Sequence, residues 1–239
     1  MCTVVVLWRP GNAWPLLLAA NRDERVDRAW DPPGAWWPER PGLVGGLDRL
    51  GGGTWMAMEH GRLACVLNRP GSLGPAPGKR SRGELPMLAL AGAPIDAGAY
   101  RPFNLVLAGR DGAEFVRGDG AALTRWALPP GLSMITAYDP DDPASARVVA
   151  HRADFVVAPE PPDWEPWIAA LLDDRGPASM SVPVRDGFGT VCCSLVGWPA
   201  QGVADWLFAV RSKHAEFDMV YQNGLVKNRP EGSATALQG

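Results

Sequence analysis

Short apolar runs broken by turn residues dominate this chain, and few of them carry the 3.6-residue period of a helix. Thr3-Val4-Val5-Val6-Leu7-Trp8 is followed by Arg9-Pro10-Gly11-Asn12 and then by Leu16-Leu17-Leu18-Ala19-Ala20. A β-branched run, a Pro-Gly turn and a second apolar run predict a hairpin. The pattern recurs over residues 54–59 and 62–68 across His60-Gly61, and over 103–108 and 113–117 around Gly109-Arg110-Asp111-Gly112. Residues 189–198, 205–210 and 216–222 read as further strands.

Helical signals cluster between these strands. Ser81-Arg82-Gly83-Glu84 has capping-box spacing ahead of Leu85-Pro86-Met87-Leu88-Ala89-Leu90-Ala91, with Pro86 in a tolerant first turn. Asp142-Pro143 predicts a helix running to about Val156, and Asp163 opens another whose Trp164, Trp167, Ile168, Leu171 and Leu172 share one face. Residues 31–50 are rich in Pro, Gly and Trp without either period, and are predicted to form a long ordered loop. Strand hairpins at both ends with helices grouped between them do not alternate as βαβ units would. They predict an α+β fold of antiparallel sheets covered by helices in layers. No repeat or linker divides residues 1–239, which are expected to form one domain, with a frayed tail from about residue 224.

A charged fraction of 21% is ordinary for a globular chain, and a net charge of −3 argues against nucleic acid or an anionic membrane as partner. No basic segment precedes Val4, and no apolar run approaches the roughly 18 residues of a span, so a cytoplasmic protein without a membrane segment is expected. Cys2, Cys65, Cys192 and Cys193 lack CxxC spacing, and His60, His151 and His214 lie scattered. No disulfide framework and no metal site are expected from them. Cys192 and Cys193, adjacent in a strand, should point to opposite faces.

The candidate chemistry lies in the first hairpin. Methionine before a small residue is usually trimmed during synthesis, which would leave Cys2 at the chain start. Its thiol, with an ordinary pKa of about 8.5, would then share a carbon with an α-amine of roughly 7.7–8.0. The amine can take the thiol's proton, an arrangement that makes an N-terminal residue both nucleophile and base. The hairpin brings this start close to Asn21-Arg22-Asp23-Glu24, which closes the second apolar run. That tetrapeptide alone could equally be a solvated turn.

Met1-Cys2, Ala19-Ala20-Asn21-Arg22-Asp23-Glu24, Gly45-Gly46-Leu47-Asp48, Gly52-Gly53-Thr54-Trp55, Leu67-Asn68 and Ser81-Arg82-Gly83-Glu84-Leu85 occur in this order over the first 85 residues. Together they resemble the NRDE family, also called the Transport and Golgi Organisation protein 2 family. Phe103-Asn104-Leu105 and Gly187-Phe188-Gly189-Thr190 extend the resemblance. It implies a four-layer αββα sandwich of the N-terminal nucleophile hydrolase type, with two mainly antiparallel sheets. Related proteins with an N-terminal cysteine cleave non-peptide amides, whereas family members have also been proposed to move haem between compartments. Met134 and Val191 stand where the resemblance leads one to expect Asn and Arg.

In the amidohydrolase reading Cys2 attacks an acyl carbon and Asp23 holds its amine. Arg22 orients Asp23 or grips a substrate carboxylate, the alternative being an ion pair that fixes the hairpin end. Asn68 would donate its amide to the oxyanion. Asn21, Glu24 and Arg82 are expected beside a small-molecule ligand. Trp55 is a candidate aromatic wall or ordinary core, and Trp36-Trp37 a candidate lid over a flat apolar ligand. No cofactor is required in this reading. In the alternative, the same cleft carries haem without catalysis.

Overall fold

The computed structural model describes residues 2–74, 76–211, 217–222 and 225–226. Along them run strands β1 (Thr3–Trp8), β2 (Leu16–Arg25), β3 (Trp30–Gly34), β4 (Val44–Asp48), β5 (Met56–Glu59) and β6 (Arg62–Asn68). Helix α1 (Leu85–Leu90) precedes β7 (Phe103–Gly109), β8 (Gly112–Gly118), β9 (Leu123–Ala127) and β10 (Gly131–Ile135). Helices α2 (Ala146–His151) and α3 (Glu165–Leu171) lead to β11 (Phe188–Trp198), β12 (Asp205–Arg211), β13 (Phe217–Gln222) and β14 (Leu225–Val226). The fold is α+β with two antiparallel sheets. One is ordered β10-β1-β2-β11-β12-β13-β14 and the other β3-β4-β5-β6-β7-β8-β9. The first sheet therefore joins both ends of the chain.

The near-continuous apolar runs follow from sheets buried on both faces. Val4, Val6 and Leu18 of the first sheet meet Met56, Leu63, Val106 and Phe115 of the second in a core between the sheets. The alternate residues Val5, Leu17 and Ala19 turn outward and pack with Val148, Phe155 and Trp167 of the helical segment. On the outer face of the second sheet, Ala64, Leu105 and Val116 pack against Leu85 and Ala89 of α1. Among the described residues no helix is long and apolar enough to cross a membrane.

Several expectations need correction. Residues 31–50 are not a loop, because they contain β3 and β4. Prolines hid β3. It is an edge strand, and its pairing with β4 skips from Asp31 to Gly34, so Pro32 and Pro33 owe no ladder hydrogen bond. Glycines hid β4, since a Cβ on Gly46 would lie 2.1 Å from the Trp55 ring. Asn21-Arg22-Asp23-Glu24 does not close β2 but lies within it, paired with β11 as far as Arg25.

The helix expected from Asp142 starts at Ala146. Ser145 caps it by accepting from Val148 N at 3.4 Å, and Asp142 caps only the preceding turn by accepting from Ala144 N at 2.8 Å. The Ser81 hydroxyl accepts from Gly83 N at 3.2 Å, and Glu84 pairs with Arg80 rather than reaching back, so α1 is preceded by one 3-10 turn. Asp163 does accept from Glu165 N at 3.1 Å, but Ile168 of the expected apolar face is 37% exposed. Strands β9 and β10 carry no clear alternation and are seen only in the structure. Glu216, His214 and the tail beyond Val226 lie outside the described residues.

Candidate functional site

The head of β1 builds the site. The β1–β2 ladder pairs Thr3 with Asn21, so one residue further Cys2 stands opposite Arg22, and Arg22 in turn pairs with Cys192 of β11. Residues directly opposite in a ladder share a face. Cys2, Arg22 and Cys192 therefore face the second sheet, while Thr3, Asn21 and Asp23 face the helices.

Cys2 is half-buried, and its sulfur lies against the backbone of Asp23. Asp23 N donates to Sγ at 3.4 Å, and Sγ approaches Asp23 O at 3.6 Å. The sulfur opens on a cavity of about 20 Å³ whose walls include Arg22, Trp55, Met56, Cys65 and Cys192. Burial pushes the Cys2 thiol above its ordinary pKa, and the Asp23 carboxylate adds to the rise, whereas the Asp23 amide and the Arg22 charge draw it down. The net shift keeps the thiol protonated at neutral pH, so a nucleophilic role requires a base.

Arg22 is buried and stacked. Its guanidinium carbon lies 4.0 Å from the Trp55 ring centroid and 5.6 Å from that of Trp30, and Nη2 is 3.6 Å from Glu24 Oε2. Its Nη1 is buried with no hydrogen-bond partner among the described residues. Trp30 and Trp55 meet edge to face at 5.4 Å, which fixes the platform under the guanidinium. Glu24 also approaches Arg28, at 3.7 Å, and Arg28 is held by Asp48 at 2.6 Å.

Asp23 sits in a different network from its neighbour. Arg147 Nη2 donates to Oδ2 at 3.0 Å and the Thr190 hydroxyl to Oδ1 at 2.6 Å, while Arg147 Nη1 donates to the Thr3 hydroxyl at 2.7 Å. The expectation that Arg22 orients Asp23 is thus corrected. Neighbours on a strand point to opposite faces, and Arg147 of α2 takes that part. Sequence reasoning missed Arg147, because an arginine within a helical stretch carries no signal of the strand it will meet.

The remaining candidates divide. Trp55 lines the cavity. Asn21 also borders it, although its Nδ2 donates to Leu171 O and Met180 O at 2.9 Å on the helical side. Arg82 is half-buried and donates to the Ser72 hydroxyl at 2.7 Å and Pro102 O at 3.1 Å. Burial lowers its pKa, as does Arg101, while Cys2 and Glu24 act in the opposite sense, which places its charge within electrostatic reach of the site. Asn68 ends β6 but is not in the cavity wall, to which that strand contributes Cys65 and Val66.

Trp36 and Trp37 lie elsewhere. Trp37 packs with Leu43 and Ala57 on the face that receives Met87 and Leu90 of α1, and Trp36 is exposed with its Nε1 donating to Pro32 O at 3.0 Å. Met134 is core on the helical side, and Val191 is core between the sheets. All four cysteines are free, with Cys192 and Cys193 on opposite faces of β11. Among the described residues no three metal-ligating side chains converge. Trp30 was missed in the sequence because it begins a strand read as loop.

Compared with known proteins, residues 1–116 match the family described as Transport and Golgi organisation 2. No curated protein matches the chain.

Proposed function

We propose that this chain, which over residues 1–116 belongs to the Transport and Golgi organisation 2 family, is an amidohydrolase of the N-terminal nucleophile type that acts on non-peptide C–N bonds. The fold to which this reading assigns it is the four-layer αββα sandwich. One observation carries it: Cys2, at the head of a strand buried in the sheet, borders a cavity while its sulfur accepts from Asp23 N at 3.4 Å, beside the Asp23 carboxylate that a terminal amine would need. Cys65 and Cys192 border the same cavity but are fully buried in mid-strand, whereas Cys2 is half-buried at the head of β1.

With Met1 removed, Cys2 supplies both halves of the nucleophile. The α-amine accepts the thiol proton while sulfur bonds to the amide carbon and the C=O electron pair moves to oxygen. The pair returns as the C–N bond breaks, and the leaving amine takes the proton. Water then cleaves the thioester and restores the thiol. Asp23, anchored by Arg147 and Thr190, is the carboxylate that would balance the charge on the amine. The chemistry needs no cofactor.

Haem carriage is the weaker reading. A cavity of about 20 Å³ holds one water and not a porphyrin, and of the tryptophans expected to clamp a flat ligand Trp37 packs toward α1 on the outer face of the second sheet and Trp36 is exposed, neither lining the cavity. The distinguishing experiment incubates protein whose mass confirms Cys2 as its first residue with a panel of N-acyl compounds, and separately with haemin. Amine release that disappears in Cys2→Ala, without a saturable Soret shift, supports the hydrolase. Saturable haem binding with no amine released from any compound overturns it.

A further inference from the structure

An amidohydrolase needs a donor for the negative oxygen of its tetrahedral intermediate, and no side-chain amide expected for that part lines the cavity. Asn68 is absent from the cavity wall, and position 134 is a methionine packed on the helical side. The same wall holds an unused donor of another kind, because Arg22, which lines the cavity with Cys2, has its Nη1 buried without a partner among the described residues. Leaving an N–H of a charged group so placed is costly, and such a group calls for an acceptor. The cavity they line, about 20 Å³, has the volume of a single oxygen-sized group.

Resting on the amidohydrolase reading, we propose that Arg22 Nη1 is the oxyanion donor of this site and that the cavity receives the carbonyl oxygen of the amide. The guanidinium is fixed for the task. Trp55 stacks on it at 4.0 Å, and Glu24 at 3.6 Å balances its charge through Nη2. As the Cys2 sulfur bonds to carbon, the C=O pair moves onto an oxygen already facing a cation in a water-poor setting, where such a contact is worth most. On collapse the pair returns to the carbonyl and the amine departs with the proton.

Two probes of Cys2 separate this role from a general effect on the thiol. Acylation by p-nitrophenyl acetate passes through an oxyanion and releases p-nitrophenolate. Alkylation by iodoacetamide is a direct displacement with none. In protein beginning at Cys2, Arg22→Gln should lower the acylation rate by about 10²–10³-fold relative to the alkylation rate. Arg22→Lys, which keeps the charge but loses the planar fork, should lose at least about tenfold in the same ratio and serves alone if the glutamine variant does not fold. Equal losses with both probes would make Arg22 only a modulator of the thiol and overturn the inference while sparing the hydrolase. No acetyl adduct on Cys2 in the unaltered protein would overturn the hydrolase reading itself.

Discussion

The buried pair Asp23–Arg147 should be the most sensitive polar contact of the site. The Asp23 side chain is fully buried and that of Arg147 is 9% exposed, with Nη2 and Oδ2 3.0 Å apart. At an effective dielectric of 20, two unit charges about 4 Å apart attract by about 4 kcal/mol, against which stands the cost of desolvating both. Removing one partner forfeits the attraction but keeps the other group's desolvation, so Arg147→Met should destabilise the fold by about 3–5 kcal/mol. Thr3 loses its guanidinium donor in the same step. Asp23→Asn keeps the shape and the Thr190 contact and should cost about 2–3 kcal/mol. The double variant removes both charges together, so its cost should fall short of the sum of the single costs by at least about 1.5 kcal/mol. Urea unfolding of the four proteins, with comparable m-values, measures this directly. Additivity within about 0.5 kcal/mol would mean that the two groups do not form one unit, and that Asp23 is positioned by the β2–β11 ladder alone.

Three further outcomes follow from the packing. Gly46→Ala, whose Cβ would lie 2.1 Å from the Trp55 ring, should cost about 1–3 kcal/mol in urea unfolding and displace the indole from Arg22, visible as a shift in tryptophan emission; an unchanged spectrum would contradict the packing. Trp55→Leu should impair acylation of Cys2, whereas Trp36→Ala, at an exposed ring outside the cavity wall, should leave it within about twofold; the reverse order would restore Trp36 to the site. Alkaline stability should depend on the buried thiols. Burial pushes Cys65 and Cys192 well above the ordinary thiol range and Cys193 up to about 12. An unfolded thiol ionises near pH 8.5, so their contribution is complete below that pH. Above it the unfolded chain binds fewer protons than the folded one, and stability is lost as pH rises, by about 1.4 kcal/mol per pH unit for each thiol. Cys65→Ala should therefore show a slope shallower by about that amount between about pH 9.5 and 10.5, and an unchanged slope would contradict the burial of this thiol.

The sequence made the hairpins legible because a sheet buried on both faces writes unbroken apolar runs, as Val4-Val5-Val6 and Leu16-Leu17-Leu18 do. It hid β3 and β4, whose prolines and glycines answer to an edge position and to an indole from a distant turn. Cys2, Arg22 and Trp55 were legible as candidates from chemistry and spacing. Their division among faces was not, because strand alternation sends Arg22 to one side and Asp23 to the other only if the strand continues through them. The Asn-Arg-Asp-Glu stretch reads as a strand end by composition. Its polar side chains are tolerated inside β2 because Arg147, Thr190 and the two tryptophans supply partners from elsewhere in the chain, and Glu24 supplies one to Arg22 from within the stretch. Partners of that kind, separated by more than a hundred residues as Asp23 and Arg147 are, leave no local trace.

If Cys2 is a nucleophile served by its own α-amine, blocking that amine with Met1 must slow its acylation. Two preparations of the same chain, one retaining Met1 and one beginning at Cys2 as verified by intact mass, are treated with p-nitrophenyl acetate at neutral pH, and acetylation is followed by peptide mapping. A free amine acting as general base contributes about 10²–10⁴-fold, so the chain beginning at Cys2 should acylate at that residue at least about a hundred times faster. Equal rates in the two preparations, or acetyl groups found at Cys65, Cys192 or Cys193 in place of Cys2, would contradict it.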